Sequence, residues 1–212
     1  MKILKSGPIR PSEDAVLEVI QSVRRQFPDA VIFLSTWTAI SLRVKESVDY
    51  FSELPEPQNK DIDKMVITRT RQQRELRMSD EMSGCKYALY KMMCGVENVC
   101  KLASPYVQDS DIVMRLRTDS MFLFSPGYFP FSPNTYVARK GDGFDWFCLT
   151  TFSVMKRVWC FYSLQEYNKA VHDAWNPEDL VRRRVNVPIV NLDKARCQSY
   201  ILRQGGFKHY YD

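Results

Sequence analysis

Residues Asp111 to Phe124 read DIVMRLRTDSMFLF, an apolar run that meets Arg117, Thr118 and Asp119 and then turns apolar again. Ile112, Val113, Met114 and Leu116 fit a short strand covered on both faces, the pattern of a parallel sheet in an α/β domain. Polar residues leaving such a strand lie at the sheet's carboxyl edge, where open α/β folds hold their ligands. A carboxylate at that edge can hold a divalent cation, and the cation can neutralise a departing diphosphate. Asp also starts turns and caps helices, and strand plus carboxylate alone favour that plainer reading of Asp119.

Upstream, Lys2 to Lys5 is a short first strand that stops at Ser6-Gly7-Pro8. Ser12 is a helix N-cap with Glu13 and Asp14 in the first turn, and Val16, Val19, Ile20, Val23 and Phe27 recur at helical spacing up to Pro28-Asp29. Ala30 to Leu34 is a second buried strand with Ser35, Thr36 and Trp37 at its exit. Strand, helix and strand of these lengths make a right-handed βαβ unit that brings Ser6 to Pro8 and Ser35 to Trp37 to one edge. Leu42, Val44, Val48 and Phe51 point to a further helix, and Lys64 to Thr68 (KMVIT) to a third strand. The arginine-rich RTRQQRELR run reads first as a solvated face, with one or two guanidinium groups able to reach a phosphate as the alternative. Ser83 to Leu102 is the long helix that feeds the central strand.

Downstream, the Pro- and aromatic-rich Ser125 to Pro133 stretch interrupts regular structure. It divides the chain into residues 1–124 and 125–212. Tyr136 to Arg139 and Trp146 to Thr150 are strands around a Gly141-Asp142-Gly143 turn. Val154 to Tyr162 and Leu164 to Ala170 are helices, and Pro177 opens another. The remainder, to Asp212, shows no clear period.

Composition sets the outer bounds. A chain of 212 residues with 45% hydrophobic and 26% charged residues is an ordinary globular protein with room for a core. The net charge of +5 suits a phosphate-bearing ligand, nucleic acid or a plain soluble surface. The charges are interspersed rather than gathered into a stripe, and no nucleic-acid signature appears. A basic nucleic-acid-binding module, or a non-catalytic α/β interaction domain, stays as the alternative to an enzyme. The six cysteines form no C-x-x-C pair and read as buried thiols of a cytoplasmic chain. No apolar run is long enough for a signal peptide or a membrane span.

Several phrases, in order, resemble those of the WavE-type glycosyltransferases of surface-polysaccharide synthesis: SGPIRP, RRQFPDA, IFLSTW, MRLRTDSMF, FDWFCL and NPEDL. Length and bounds are also similar to an N-terminal domain of chlorella-virus glycosyltransferases that decorate a capsid protein. The resemblance implies a GT-A type α/β fold: a Rossmann-like, mostly parallel mixed sheet with flanking helices and a smaller acceptor-side region. Residues 1–124 would hold a UDP-sugar donor and residues 125–212 would shape the acceptor side, for a glycan or glycoprotein. Further domains of a longer polypeptide would fit the same picture.

It also implies a divalent cation, Mn2+ or Mg2+, at Asp119. Arg117-Thr118-Asp119 takes the place of the family's D-x-D signature, but with Arg where the first acid stands, and that departure puts two-carboxylate metal binding in doubt. His209, near the C-terminus, would be a second metal ligand. Ser6, Gly7, Pro8, Ser35, Thr36 and Trp37 would line the nucleotide. Arg117, Arg74 or Lys86 would meet the diphosphate, Lys86 from the start of a helix whose amides favour anions. Asp145, followed by Asp142, is the best acid for the chemistry, either as general base or to steady a developing oxocarbenium ion.

Overall fold

The computed structural model describes residues 1–9, 12–78, 86–132, 134–138, 147–193 and 195–200, and by their backbone alone 201–203 and 206–209. β1 (Lys2–Ser6), α1 (Glu13–Gln26) and β2 (Val31–Thr36) form the expected βαβ unit. Ser12 caps α1 by accepting from the Ala15 amide at 3.3 Å, and acids in the first turn with Arg24 and Arg25 in the last complement the helix dipole. β1 and β2 pair in parallel with Ser6 opposite Ser35, so both exits reach one edge.

The next two elements differ from the sequence reading. The helix expected through Phe51 is only α2 (Leu42–Ser47), and β3 (Tyr50–Glu53) follows it, parallel to β2. The helix ends because Asp49 is drawn to the Ile32 amide at 2.7 Å, and Tyr50 then stacks on Phe33 at 4.8 Å between ring centroids. KMVIT is not a strand. Most of the segment before it is α3 (Asn59–Met65), and Ile62 and Val66, both buried and four residues apart, are the helical period that outweighed the apolar run.

The RTRQQRELR run folds into α4 (Arg71–Glu75), opened by a reciprocal Thr70 and Gln73 capping box. α5 (Lys86–Ala103) then lays Leu89, Met93, Val96, Val99 and Cys100 on the sheet. It leads into β4 (Ile112–Arg117), which pairs in parallel with β1 and sets Arg117 opposite Ser6.

The two-residue turn at Thr118 and Asp119 sends the chain out of this sheet into β5 (Ser120–Phe124). β6 (Tyr136–Ala138) and β7 (Phe147–Thr151) return to it, followed by α6 (Phe152–Trp159), α7 (Leu164–Asp173), α8 (Pro177–Arg184) and β8 (Ile189–Asn191). The main sheet has seven strands in the order β3-β2-β1-β4-β7-β6-β8, with β7 antiparallel to both neighbours. The chain is therefore an α/β protein with a mostly parallel mixed sheet flanked by helices.

Apolar layers fill both faces: Leu4, Phe33, Val96 and Trp159 on the α5 and α6 side, and Ile3, Val16, Ile20, Leu34 and Leu116 on the α1 side. The C-terminal stretch without a legible period forms β9 (Cys197–Arg203) and β10 (Gly206–His209), which with β5 make a separate three-stranded sheet. α1 holds the free edge of β5 through Gln26. Its side-chain amide donates to the Phe122 carbonyl and accepts from the Phe124 amide, each at 2.8 Å, in place of a neighbouring strand.

Trp159 is fully buried, donates from Nε1 to the Tyr136 hydroxyl at 3.2 Å and lies under the Arg115 guanidinium at 4.4 Å. Trp159→Ala removes the ring that both Tyr136 and Arg115 lean on. It is expected to lower stability by about 3 to 5 kcal/mol in urea unfolding.

Candidate active site

Strand order reverses between β1 and β4. β2 and β3 extend one way and the later strands the other, and this switch point opens a crevice beyond the strand ends. Three exits converge there. Ser6 is in register with both Ser35 and Arg117. Gly7 turns away with φ +128°, a conformation that L side chains rarely adopt, while its amide donates to the Ser35 carbonyl at 3.3 Å. A Cβ on Gly7 would meet only ordinary contact with Thr118, so the backbone angle rather than space calls for glycine. Thr118 Oγ1 donates to the Pro8 carbonyl at 2.5 Å and ties the first exit to the third.

Trp37 leaves the second exit half-buried and lies against α5 at Gly95, where an added Cβ would be 3.3 Å from the ring. Its ring thus packs on a helix as well as bordering the crevice. Glu53, at the end of β3, accepts from the Ile40 amide at 2.8 Å and pairs with Lys45 at 3.0 Å, which fixes the loop that carries Trp37.

The charges at the edge are few and close. Asp119 is 2% exposed, and the Arg117 guanidinium grips it with Nε to Oδ1 at 2.9 Å and NH2 to Oδ2 at 2.7 Å. Lys5 has no exposed surface and donates from Nζ to the Arg117 carbonyl at 2.9 Å. Burial pushes the Lys5 ammonium down to about 7, against the pull of Asp119 and with a further push from Arg115. Sequence reading passed over Lys5. The signal available was a lysine in the middle of a strand otherwise suited to burial on both faces, just as Arg115 stands in β4.

The other expected site residues lie elsewhere. Arg74 is held by His172, through Nδ1 and the carbonyl, each at 3.1 Å, and by the Arg69 carbonyl. Lys86 pairs with Asp63 at 2.6 Å and is 11% exposed. Both cations are therefore engaged at their own ends of α4 and α5. In the same run Arg71 pairs with Glu75 at 2.6 Å. His209 is the last residue of β10, opposite Tyr200, which in turn faces Met121 of β5. It stands level with Met121, two strand spacings or about 10 Å across. Asp142 and Asp145 lie outside the described residues.

A divalent cation does not fit the donor set among the described residues. Asp119 has both of its oxygens bonded to Arg117, Glu53 at the end of β3 is taken by the Ile40 amide and Lys45, and among the described residues no group of three His, Cys, Asp or Glu side chains is disposed to hold a metal. No helix among the described residues is long and apolar enough to cross a membrane.

No protein-family model matches the chain, and no curated protein does, so the WavE-type resemblance rests on the quoted phrases alone. Among solved structures the chain is similar to the galactosyltransferase LgtC in complex with donor and acceptor sugar analogues, at 12% identity and a TM-score of 0.44, over 92% of this chain and 74% of that one. It is similar to an active-site mutant of LgtC at 13% identity and a TM-score of 0.45, over 92% and 73%.

Lys5 makes stability depend on pH. In the unfolded chain it keeps its proton to about 10.5, in the folded chain only to about 7. Between those values the unfolded state binds more protons, so stability rises with pH. Urea unfolding is expected to show a gain on the order of 2 kcal/mol from about pH 7 to about pH 9, and Lys5→Met is expected to lose that gain.

Proposed function

We propose that the chain is a glycosyltransferase of GT-A type that moves a sugar from a UDP-sugar, with a glucose- or rhamnose-like hexose, to a glycan or glycoprotein acceptor. The observation that carries this reading is the convergence of three strand exits at the β1–β4 switch point, with a glycine at positive φ and an arginine at its rim. Ser6, Gly7 and Pro8 line the nucleotide from one exit and Ser35, Thr36 and Trp37 from the next. Gly7 lets the ligand approach the backbone. Trp37 offers a base an aromatic face, a contact commonly worth about 1 to 3 kcal/mol.

The reaction forms a bond from the acceptor oxygen to the anomeric carbon and breaks the bond from that carbon to the diphosphate. The diphosphate leaves as an anion and needs positive charge at the edge, which Arg117 has. Asp145, with Asp142 as second choice, takes the acceptor proton in an inverting reaction, or steadies the oxocarbenium ion in a retaining one while the departing diphosphate oxygen takes that proton. Residues 1–124 hold the donor and 125–212 shape the acceptor side. A surface polysaccharide or a viral capsid glycoprotein is the acceptor class that the resemblance implies.

Thermal unfolding with UDP, UDP-glucose and uridine tests the reading. A ligand at about 100 times its Kd adds about 2.7 kcal/mol, so UDP is expected to raise Tm by on the order of 5 °C. UDP-glucose is expected to be slowly hydrolysed, and Asp145→Asn to abolish that hydrolysis while leaving the UDP shift in place. An unchanged Tm at saturating UDP and UDP-glucose overturns it.

A further inference from the structure

The charged groups at the β1–β4 edge are layered with the cation outward and the acid inward. The Arg117 side chain is 25% exposed, the Asp119 side chain 2%, and Lys5 lies wholly buried behind them. A divalent cation seeking Asp119 would have to break a two-bond guanidinium fork. It would then sit beside the displaced Arg117 and the ammonium that donates to the Arg117 carbonyl. The displaced guanidinium, a permanent positive charge, would face it with one carboxylate to offset both. An anion reaching the edge meets the partly exposed guanidinium before the buried acid. The planar guanidinium is the side chain best shaped for two phosphate oxygens, and Asp119 fixes its plane. Thr118, bonded to Pro8, holds the turn that carries both.

We propose that Arg117 is the diphosphate-binding group of this edge and supplies the charge compensation that a divalent cation would otherwise give, with Asp119 as its positioning residue. The inference rests on the nucleotide-sugar reading above and deepens it. It makes Arg at the first place of Arg117-Thr118-Asp119 a working replacement for an acid, and Asp119 a support for a cation in place of a ligand to a metal.

Calorimetric titration of the full chain with UDP, inorganic pyrophosphate and uridine, each in EDTA and in manganese, tests it. UDP and pyrophosphate are expected to bind in EDTA, with less than about a twofold change on adding manganese. Arg117→Gln is expected to weaken both by roughly tenfold or more and to leave uridine unchanged, and Arg117→Lys, which keeps the charge but not the fork, is not expected to rescue them. Asp119→Asn is expected to weaken pyrophosphate several-fold with uridine unchanged, and to add nothing when combined with Arg117→Gln.

That double variant removes both charges together, so it serves if Arg117→Gln alone leaves an unpaired buried acid and fails to fold. A gain of about tenfold or more from manganese in the unaltered chain, or pyrophosphate binding indifferent to Arg117, overturns the inference. UDP bound only with manganese does so while the nucleotide-sugar reading stands. No binding of UDP or uridine under either condition overturns that reading instead, and pyrophosphate in EDTA still decides the part played by Arg117.

Discussion

The fork between Arg117 and Asp119 is the contact on which the edge of the sheet depends. A carboxylate with 2% of its surface exposed loses its hydration, and only a partner that bonds both oxygens makes that burial tolerable. Arg117 does this from two residues away, so the pair is local in sequence and closes as soon as β4 ends. Lys5, arriving from β1, bonds the Arg117 carbonyl and links the pair to the strand across the crevice. Removing either member of the fork would leave a buried charge behind. The turn that carries the pair is thus fixed by electrostatics, where apolar packing fixes the strands on both sides of it.

The frame around the pair is apolar and gives it a fixed address. Leu4, Leu34 and Leu116 are fully or almost fully buried in adjacent strands, so β1, β2 and β4 cannot slide in register without turning apolar faces outward. α5 closes one side of the sheet, and at its Gly95 the Trp37 ring, the Gly7 amide and the Ser6 Cβ lie within reach of an added Cβ. A larger residue there would press on the second exit and the first together. Close helix approach and open crevice are therefore the same feature seen from its two sides.

Much of this was legible from sequence because the decisive signals were local. Ser12 with its two acids, the apolar runs of β1, β2 and β4, and Pro177 at the start of α8 each mark an element through short-range physics. The misreadings share a cause. KMVIT looked like a strand because Met65, Val66 and Ile67 are apolar, but burial follows Ile62 and Val66 while Ile67 is 83% exposed. β3 was hidden because its pairing is with β2, and β8 to β10 because their partners are remote in the chain. The convergence of strand ends was legible for the same reason. Ser6, Ser35 and Arg117 follow from strand ends, whereas the part Lys5 plays, and the engagement of Arg74 with His172, are set by tertiary contacts that no spacing reports.

The turn at Thr118 and Asp119 also governs the far end of the chain. β5 begins at Ser120, directly after the buried acid, and β9 pairs along its whole length, from Ser120 opposite Ile201 to Phe124 opposite Cys197. β10 is then set by β9, which is what brings His209 level with Met121. β5 meets β4 at this turn, packs Phe122 and Phe124 on Phe147 of β7 with ring centroids 4.6 and 6.2 Å apart, and has its other edge held by Gln26 of α1. The position of the C-terminal strands therefore follows from this turn, held by the Arg117 fork and the Thr118 bond to Pro8, together with the packing of β5 on β7 and α1. The ion pair that shapes the rim of the crevice in this way also contributes to placing the strands that end beside it.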